Sequence, residues 1–242
     1  MPEDWERALA VVAHPDDLEY GAAAAVSYWT GQGKEITYLL VSRGEAGIDG
    51  MDPAEAARVR EAEQRASAAA VGVADVEFLD HHDGVIEEGL ALRQDLAAAI
   101  RRHRPELLIT LNHHDTFGTG AGAFWNMPDH RAVGRATLDA AGDAGNRWIF
   151  PKLLGEGLKP WGGVRWVAVA GSPHPTHAVG VEAADLERAV DSLAAHRAYI
   201  EGLGVEEEPR AYAQGFIEQM LRGAGERSGA ELAVGFEVFG RR

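Results

Sequence analysis

Short β-rich runs alternate with helix-forming stretches through the first 141 residues of this chain, and this alternation restricts its fold more than any other feature. Each run is apolar enough for a buried strand and is followed by a stretch of good helix formers. Repeated strand–helix units give parallel strands, right-handed crossovers and helices on both sheet faces. The sequence therefore predicts an α/β, Rossmann-like fold with a mostly parallel sheet. The predicted strands span residues 8–13, 35–42, 76–79 and 107–111, and the predicted helices span residues 18–29, 54–71, 90–103 and 129–141.

The rest of the chain is predicted to complete the same fold after one long irregular segment. Residues 112–128 form this loop, and loops of such length in compact domains are usually functional or disordered. With 242 residues and 46% hydrophobic content, the chain can bury one sizeable core, and we expect a single domain over residues 1–242. Further strands are predicted at residues 166–171, 178–182 and 231–239, and further helices at 184–203 and 209–222.

The composition argues against several classes of partner. The formal net charge of −15 disfavours a nucleic-acid surface and an anionic membrane, because both attract clustered Lys and Arg. No cysteine is present, so a bound metal would need His, Asp or Glu ligands. The N-terminus lacks the pattern of a signal peptide, and no stretch approaches the roughly 20 apolar residues that cross a bilayer. We expect a cytoplasmic protein with a small-molecule partner; a homo-oligomer is compatible with the sequence.

One imidazole and two carboxylates lie where the first predicted strand turns into the first helix. These side chains belong to His14, Asp16 and Asp17, and open α/β sheets bind their ligands at such turns. Two adjacent carboxylates would repel the phosphates of a dinucleotide, so the turn favours a cation. Taken singly, each aspartate is also an ordinary helix cap and the histidine an ordinary packed residue.

A further metal ligand is available at the start of the helix predicted over residues 129–141, where His130 follows Pro128 and Asp129. His14 and Asp17 are three residues apart across a turn and can converge on one ion, while His130 can approach from another loop at the sheet edge. Two histidines and one carboxylate with an open position form a known catalytic zinc set.

Several short motifs also occur in a characteristic order. They are Ala13-His14-Pro15-Asp16-Asp17-Leu18-Glu19, Ser42-Arg43-Gly44-Glu45, Arg60-Glu61-Ala62-Glu63, Val71-Gly72-Val73, Asp83-Gly84 and Pro128-Asp129-His130-Arg131-Ala132-Val133-Gly134. In order and spacing they resemble the PIG-L/LmbE family of zinc-dependent N-acetylglucosaminyl deacetylases across roughly residues 8–140. His196-Arg197 resembles the C-terminal signature of that family, which extends the likeness to nearly the whole chain.

The resemblance implies an activity and a role for individual residues. The enzyme would remove the acetyl group from an N-acetylglucosamine-type amino sugar or its conjugate, and Asp16 would be the general base that takes a proton from water. The cofactor would be Zn²⁺, although such nitrogen and oxygen ligands also accept other divalent transition metals. The implied metal ligands are His14, Asp17 and His130, and the implied substrate-binding residues are Glu45, Arg60 and Asp83.

One position departs from the family pattern. Many members have a histidine two residues before the aspartate of the last motif, where it acts as an acid or an oxyanion partner, but this chain has Met127. A thioether cannot supply a proton. Either the metal carries the oxyanion alone or a histidine from another loop substitutes. The candidate histidines are His113, His114, His174 and His177, of which the first two follow the fourth strand.

Three alternatives accompany the deacetylase interpretation. An amidase that acts on a larger amino-sugar conjugate would use the loop 112–128, in which Trp125 can contact the group attached to the sugar. A catalytically weakened metal- or sugar-binding protein is favoured by Met127. A nucleotide-binding Rossmann module is disfavoured by the carboxylates of the first turn.

Overall fold

A computed structural model describes residues 1–241, and its N-terminal part follows the predicted alternation of strands and helices. The helix after the first strand is divided at Ala22, whose backbone leaves the helical region with φ −140°. The elements in this part are β1 (Arg7–Val12), α1 (Asp17–Gly21), α2 (Ala23–Gly31), β2 (Glu35–Leu40), α3 (Pro53–Ala70), β3 (Asp75–Phe78), α4 (Leu90–His103) and β4 (Leu107–Leu111).

The C-terminal part begins with a long loop that contains a two-stranded hairpin. The elements are β5 (Thr116–Phe117), a single 3₁₀ turn (Gly120–Gly122), β6 (Phe124–Trp125), α5 (Pro128–Asp143), α6 (Lys152–Gly155), β7 (Trp166–Ala170), β8 (His177–Gly180), α7 (Ala183–Ala194), α8 (Arg197–Gly202), α9 (Pro209–Ser228) and β9 (Ala233–Gly240). None of the helices within residues 1–241 combines the length and the apolar character that crossing a membrane requires.

Seven strands form one mixed sheet in the order β3-β2-β1-β4-β7-β9-β8. The first five strands are parallel, and β9 runs antiparallel to both β7 and β8. Because β1 lies between β2 and β4, the chain leaves β1 in one direction to build β2 and β3 and later returns to build β4 on the other side. The predicted mostly parallel α/β sheet is therefore confirmed, and β1 and β4 flank the point where the strand order reverses.

The helices cover both faces of the sheet, as right-handed crossovers require when the strand order runs in opposite directions from β1. On one side α7 packs against α2, α3 and α9, and on the other α4 packs against α5. The central strand β1 is consequently buried on both faces, with Leu9, Ala10 and Val11 fully inaccessible. Its continuous apolar sequence is typical of an interior parallel strand.

The start of α3 follows from its sequence. Asp52 is the N-cap, its carboxylate accepts the backbone N–H of Ala54 at 3.0 Å, and Pro53 occupies the first helical position. Proline is favoured there because its missing N–H would have no partner within the helix. The predicted start of this helix is therefore confirmed.

The prediction of one helix over residues 184–203 is wrong in one respect, because the structure divides this segment into α7 and α8 at His196. His196 has φ −80° and ψ 51°, and its side chain is fully buried. The break directs the imidazole inward, where its Nε2 lies 3.7 Å from Glu19 Oε2. A buried polar contact therefore overrides a sequence pattern that is locally compatible with one continuous helix.

Candidate active site

The polar turn predicted as a metal site lies beyond the carboxyl end of β1. His14 and Asp16 belong to the short connection between β1 and α1, and Asp17 is the first residue of α1. His130 lies in the first turn of α5, which follows the neighbouring strand β4 and its long loop. Because parallel neighbours end at the same edge of a sheet, two segments far apart in sequence meet here.

Three side chains from the turn after β1 and from the start of α5 lie close together. His130 Nε2 lies 3.0 Å from Asp17 Oδ1, and His14 Nδ1 lies 3.7 Å from Asp17 Oδ2. One donor atom from each residue lies within 4.8 Å of the others, and all three side chains are largely buried. The structure therefore brings together the three predicted ligands, and two imidazoles with one carboxylate can hold a divalent transition metal.

In His14 and His130, the ring nitrogen that does not face Asp17 lies close to a side-chain oxygen of another residue. His14 Nε2 lies 3.0 Å from Asp83 Oδ1 and 3.1 Å from Asp129 Oδ2, and His130 Nδ1 lies 3.1 Å from Asn126 Oδ1. Such outer contacts fix the tautomer and the ring orientation of a metal-binding histidine. His14, Asp83 and Asp129 also place donor atoms within 4.8 Å of one another, so they form a second geometric candidate for an ion.

The two outer carboxylates are themselves tied to the backbone. Asp129 accepts the N–H of Gly84 at 2.7 Å and that of Ile86 at 3.1 Å, one on each oxygen. Asp83 accepts the N–H of Ala46 at 2.9 Å. Because these oxygens already satisfy backbone donors, Asp83 and Asp129 are better suited to orienting His14 than to binding an ion directly.

The charges of the cluster are set by its mutual contacts. Burial opposes a charge on His14, but hydrogen bonds with Asp129, Asp17 and Asp83 prevail and hold its pKa well above 6.5 in the metal-free protein. Burial likewise opposes ionisation of Asp17, but His130 and His14 lower the pKa of that carboxyl far below its usual range. Asp17 is therefore an anion in the folded protein, as a metal ligand must be.

Asp16 has a different environment although it is adjacent to Asp17. Its backbone is left-handed, with φ 91°, and its N–H donates to Gln64 Oε1 at 3.0 Å. The carboxylate Oδ2 accepts Arg60 Nη2 at 2.6 Å. Burial raises the pKa of Asp16 to about 6, and the negative charge of Asp17 adds to this rise while Arg60 opposes it. A left-handed non-glycine residue held by its surroundings is typical of functional sites.

The Arg60 guanidinium faces the turn after β1 and is not directed toward open space. It donates to Pro15 O at 2.5 Å and to Gly44 O at 3.2 Å in addition to Asp16, and it stacks 4.2 Å from the ring centre of Tyr199. The residue is only 2% exposed. The contact with a sugar that the family resemblance implies for Arg60 stays a prediction, and in this structure its two terminal nitrogens bond Gly44 and the turn that carries Asp16.

Glu45 and Asp83 form a reciprocal pair between two loops. Glu45 Oε1 accepts the backbone N–H of Asp83 at 2.9 Å, while the Asp83 carboxylate accepts the N–H of Ala46. Asp83 also contacts His14, whereas the Glu45 side chain is 20% exposed. Both residues therefore lie beside the three-residue cluster, and Glu45 is the more accessible of the two.

The histidines proposed to replace the one absent at position 127 lie away from the cluster of His14, Asp17 and His130. His114 Nε2 bonds Glu237 Oε2 at 2.7 Å, and the ring of His113 stacks on that of His114 at 4.1 Å. His177 lies on β8 at the edge of the sheet, exposed and hydrogen-bonded to Thr176. Within residues 1–241 none of these three histidines contacts the cluster of His14, Asp17 and His130, and the role of acid or oxyanion partner stays a prediction for them.

Two supporting residues were missed by sequence reasoning. Gln64 lies one helical turn after Arg60 on α3, and Asn126 lies one turn's length before His130. The spacing of four residues was visible in both cases, but Gln and Asn at such positions are ordinarily surface residues. Only the fold reveals that they are almost fully buried and that they hold Asp16 and His130.

Comparison with known proteins gives the same assignment for most of these motifs. The family model described as GlcNAc-PI de-N-acetylase, PIG-L, matches residues 9–141. Diacetylchitobiose deacetylase of Thermococcus kodakarensis is 29% identical over 144 residues, which cover 59% of this chain and 51% of that protein. The 1D-myo-inositol 2-acetamido-2-deoxy-alpha-D-glucopyranoside deacetylase of Kineococcus radiotolerans is 31% identical over 170 residues, covering 57% and 46%. The chain thus spans about half the length of these curated relatives.

Solved structures extend the likeness of the fold beyond the matched motifs. The N,N'-diacetylchitobiose deacetylase from Pyrococcus horikoshii superposes with a TM-score of 0.85 at 20% identity, covering 98% of this chain and 85% of the other. At that identity the superposition is evidence for the fold alone. The family model covers more than half of the chain, including the turn after β1 and the first turn of α5. The chain therefore belongs to the PIG-L family.

Proposed function

We propose that this protein is a metal-dependent deacetylase, which hydrolyses the acetamide of an N-acetylglucosamine-type amino sugar or of its conjugate. The observation that carries the proposal is the position of Asp16 beside the convergent side chains of His14, Asp17 and His130. A metal-binding set and a separate carboxylate are the parts that metal-assisted amide hydrolysis needs. Deacetylase names among the curated relatives support the same reaction.

The donor set fits a zinc ion. Asp17 is ionised, and each imidazole has one nitrogen directed to the cluster and the other held by Asp83, Asp129 or Asn126. We assign His14, Asp17 and His130 as the ligands, with iron, cobalt or another divalent ion as the alternative occupant. A divalent ion supplies, when bound, acidity to a water molecule and polarisation to a carbonyl oxygen.

The proposed proton acceptor is Asp16. Asp16 Oδ2 is held by Arg60, so Oδ1 is the oxygen that takes the proton from the attacking water. A pKa of about 6 leaves this carboxylate ionised at neutral pH and still basic enough to accept a proton. Arg60 and Gln64 keep the carboxylate in place by holding both its side chain and its backbone. We assign these two residues to positioning, and Asp16 to catalysis.

The sugar and its attached group are assigned to two neighbouring regions. We propose that Glu45 and Asp83, which lie beside His14, contact the sugar hydroxyls. The exposed side chains of Phe124 and Trp125, on strand β6 of the hairpin that precedes α5, are available to the attached group. An amidase for a larger conjugate uses the same site with a larger attached group. The predicted compartment remains the cytoplasm.

A catalytically weakened binding protein is the second candidate, because Met127 stands where many family members have a histidine. Its side chain is 49% exposed at the N-cap of α5 and cannot donate a proton. In the deacetylase proposal a metal held by His14, Asp17 and His130 would supply the polarisation of the carbonyl oxygen, and the proposal assigns no side chain to the role of this histidine.

Acetate release distinguishes these candidates. The zinc-loaded protein is incubated with a panel of N-acetylated amino sugars, each with and without a polar attached group, and acetate is measured alongside binding. A deacetylase releases acetate from at least one compound, and a larger conjugate is the better substrate if the amidase assignment is right. Binding without acetate from any compound would instead identify a binding protein.

A further inference from the structure

A second group of side chains with metal-binding chemistry lies outside the candidate active site. It consists of His113 and His114, directly after β4, and Glu237 on β9; we call it the β9 cluster. One donor atom from each residue lies within 4.8 Å of the other two. The cluster shares no residue with the set of His14, Asp17 and His130.

The contacts within the β9 cluster are close and directional. His114 Nε2 lies 2.7 Å from Glu237 Oε2, and the same oxygen accepts the hydroxyl of Ser172 at 2.6 Å. The rings of His113 and His114 lie 4.1 Å apart, and His174 lies edge-on to His114 at 5.0 Å. Three separate chain segments therefore deliver nitrogen and oxygen donors to one place.

One nitrogen and one carboxyl of the β9 cluster have surroundings that leave them available to a cation. Burial lowers the pKa of His113, and the neighbouring His114 lowers it further. Its Nδ1 is buried without a hydrogen-bond partner among the described residues. Burial opposes ionisation of Glu237, but Ser172 and His114 prevail and lower the pKa of the carboxyl. A neutral imidazole and an ionised carboxylate are the forms that bind transition metals.

We propose that the β9 cluster is a second binding site for a divalent transition metal of the zinc type, with His113, His114 and Glu237 as ligands. Two histidines and one carboxylate from different segments are a sufficient protein set for zinc when water or a further side chain completes the coordination. The exposed ring of His174, which lies edge-on to His114, is an additional donor.

Such an ion would fasten the loop before α5 to the sheet. His114 belongs to this loop, and its backbone carbonyl accepts the Asn126 amide, which also bonds His130. His113 packs against α5 at Gly134, where an added Cβ would lie only 2.7 Å from that of His113. An ion at the β9 cluster would therefore reduce the mobility of the segment that holds one ligand of the first site.

Metal counting tests the proposal. Protein stripped with a chelator is titrated with Zn²⁺ alone, freed of unbound metal by gel filtration, and analysed for zinc per chain. We expect two ions for the wild type, one for the double variant His114→Ala/Glu237→Gln, and one for Asp17→Asn, which damages only the first site. His177→Ala is the matched control, because His177 is exposed on β8 and should leave both ions bound.

The proposal is overturned if the wild type retains a single ion that Asp17→Asn abolishes, or if the double variant still retains two. A variant that fails to fold is replaced by a measurement on the wild type, in which imidazole ¹⁵N resonances are followed during the titration. The resonances of His113 and His114 should shift on binding of an ion, and unchanged resonances at saturation would contradict the proposal. These readouts do not depend on acetate release, so the second site and the proposed activity can fail separately.

Discussion

The pKa values of the adjacent residues Asp16 and Asp17 are shifted in opposite directions, and the separate roles proposed for these residues depend on this difference. Asp17 faces His130 and remains an anion, whereas Asp16 is buried against Arg60 and has its pKa raised to about 6. The backbone of Asp16 is left-handed, and its N–H and carboxylate are held by Gln64 and Arg60. In the proposed function, a one-residue step along the chain separates metal binding from proton transfer, and the residues that hold Asp16 come from α3.

Asn126 provides a residue-scale prediction about metal affinity. Its Oδ1 accepts from His130 Nδ1, and its amide nitrogen donates to the carbonyls of Asn112 and His114, so the side chain is held on three sides. Asn126→Ala should weaken zinc binding at the first site by about 10–100-fold, because His130 loses its orientation. Competition with a chromophoric chelator measures the affinity, and the exposed Asn146→Ala is the control; equal affinities in the two variants would contradict this role.

At the scale of elements, α3 acts as the platform for the active-site turn. Arg60, Gln64 and Ser67 lie along one face of this helix and bond Pro15, Asp16 and Glu19 respectively. The helix also packs against α7. Displacing one of these contacts should therefore disturb the turn without unfolding the sheet.

A substitution at Gly44 tests whether α3 positions the turn that carries Asp16. Its φ is +66°, and a Cβ there would lie 2.5 Å from Arg60 Nη1, so Gly44→Ala should displace the guanidinium that holds Asp16. Gly33 is the matched control, because its φ is +84° but nothing lies within 4 Å of an added Cβ. Both variants should lose about 1–2 kcal/mol from backbone strain, and only Gly44→Ala should also lose turnover. Chemical denaturation and acetate release measure the two effects, and equal turnover would refute the positioning role.

Glu19, on α1, gives a prediction about how the stability of the fold depends on pH. The carboxylate is fully buried, and although burial opposes its ionisation, His196, Ser67 and Gln64 lower its pKa below 4.5. A lowered pKa in the folded state stabilises the fold above the unfolded-state pKa, and this contribution disappears as the pH falls through the folded-state pKa. Glu19→Gln should therefore reduce the free energy of unfolding at neutral pH, by about 1–3 kcal/mol, and should weaken its decline in acid.

The measurement is the free energy of unfolding against pH for the wild type and Glu19→Gln. Glu218→Gln is the control, because that carboxyl also has a lowered pKa, due to Arg222, but lies at the surface with its side chain 35% exposed. Exposed pairs contribute little to stability. A pH profile for Glu19→Gln that parallels the wild type would show that Glu19 does not carry this dependence.

The sequence predicts elements well where periodicity and caps decide them, and less well where tertiary contacts do. The alternation up to α5, the cap at Asp52 and the convergence of the turn after β1 with the start of α5 are all recovered. The break at His196 and the short hairpin before α5 are not, because a buried contact and two-residue strands leave no periodic signal. The burial of Arg60 also needs the fold, since its partners are mainly backbone carbonyls.

At the scale of the whole molecule, the order of the strands locates the chemistry. The chain leaves β1 toward β2 and β3 and returns to β4, and open α/β sheets bind ligands beyond the carboxyl ends of the strands at such a reversal. The first turn follows β1 and the start of α5 follows the loop after β4, so residues more than a hundred positions apart meet at one edge of the sheet and form one cluster. The net charge of −15 is compatible with a neutral or cationic small molecule as the substrate.

Metal removal and restoration tests the central claim most directly. Acetate release from a responsive N-acetylated amino sugar is measured for the chelator-stripped protein, for the same protein reloaded with Zn²⁺, and for zinc-loaded Asp16→Asn. We predict no turnover in the stripped protein, recovery on reloading, and a loss of about 10²–10⁴-fold in Asp16→Asn with its zinc retained. Turnover that persists in the metal-free protein, or that is undiminished in Asp16→Asn, would contradict the account.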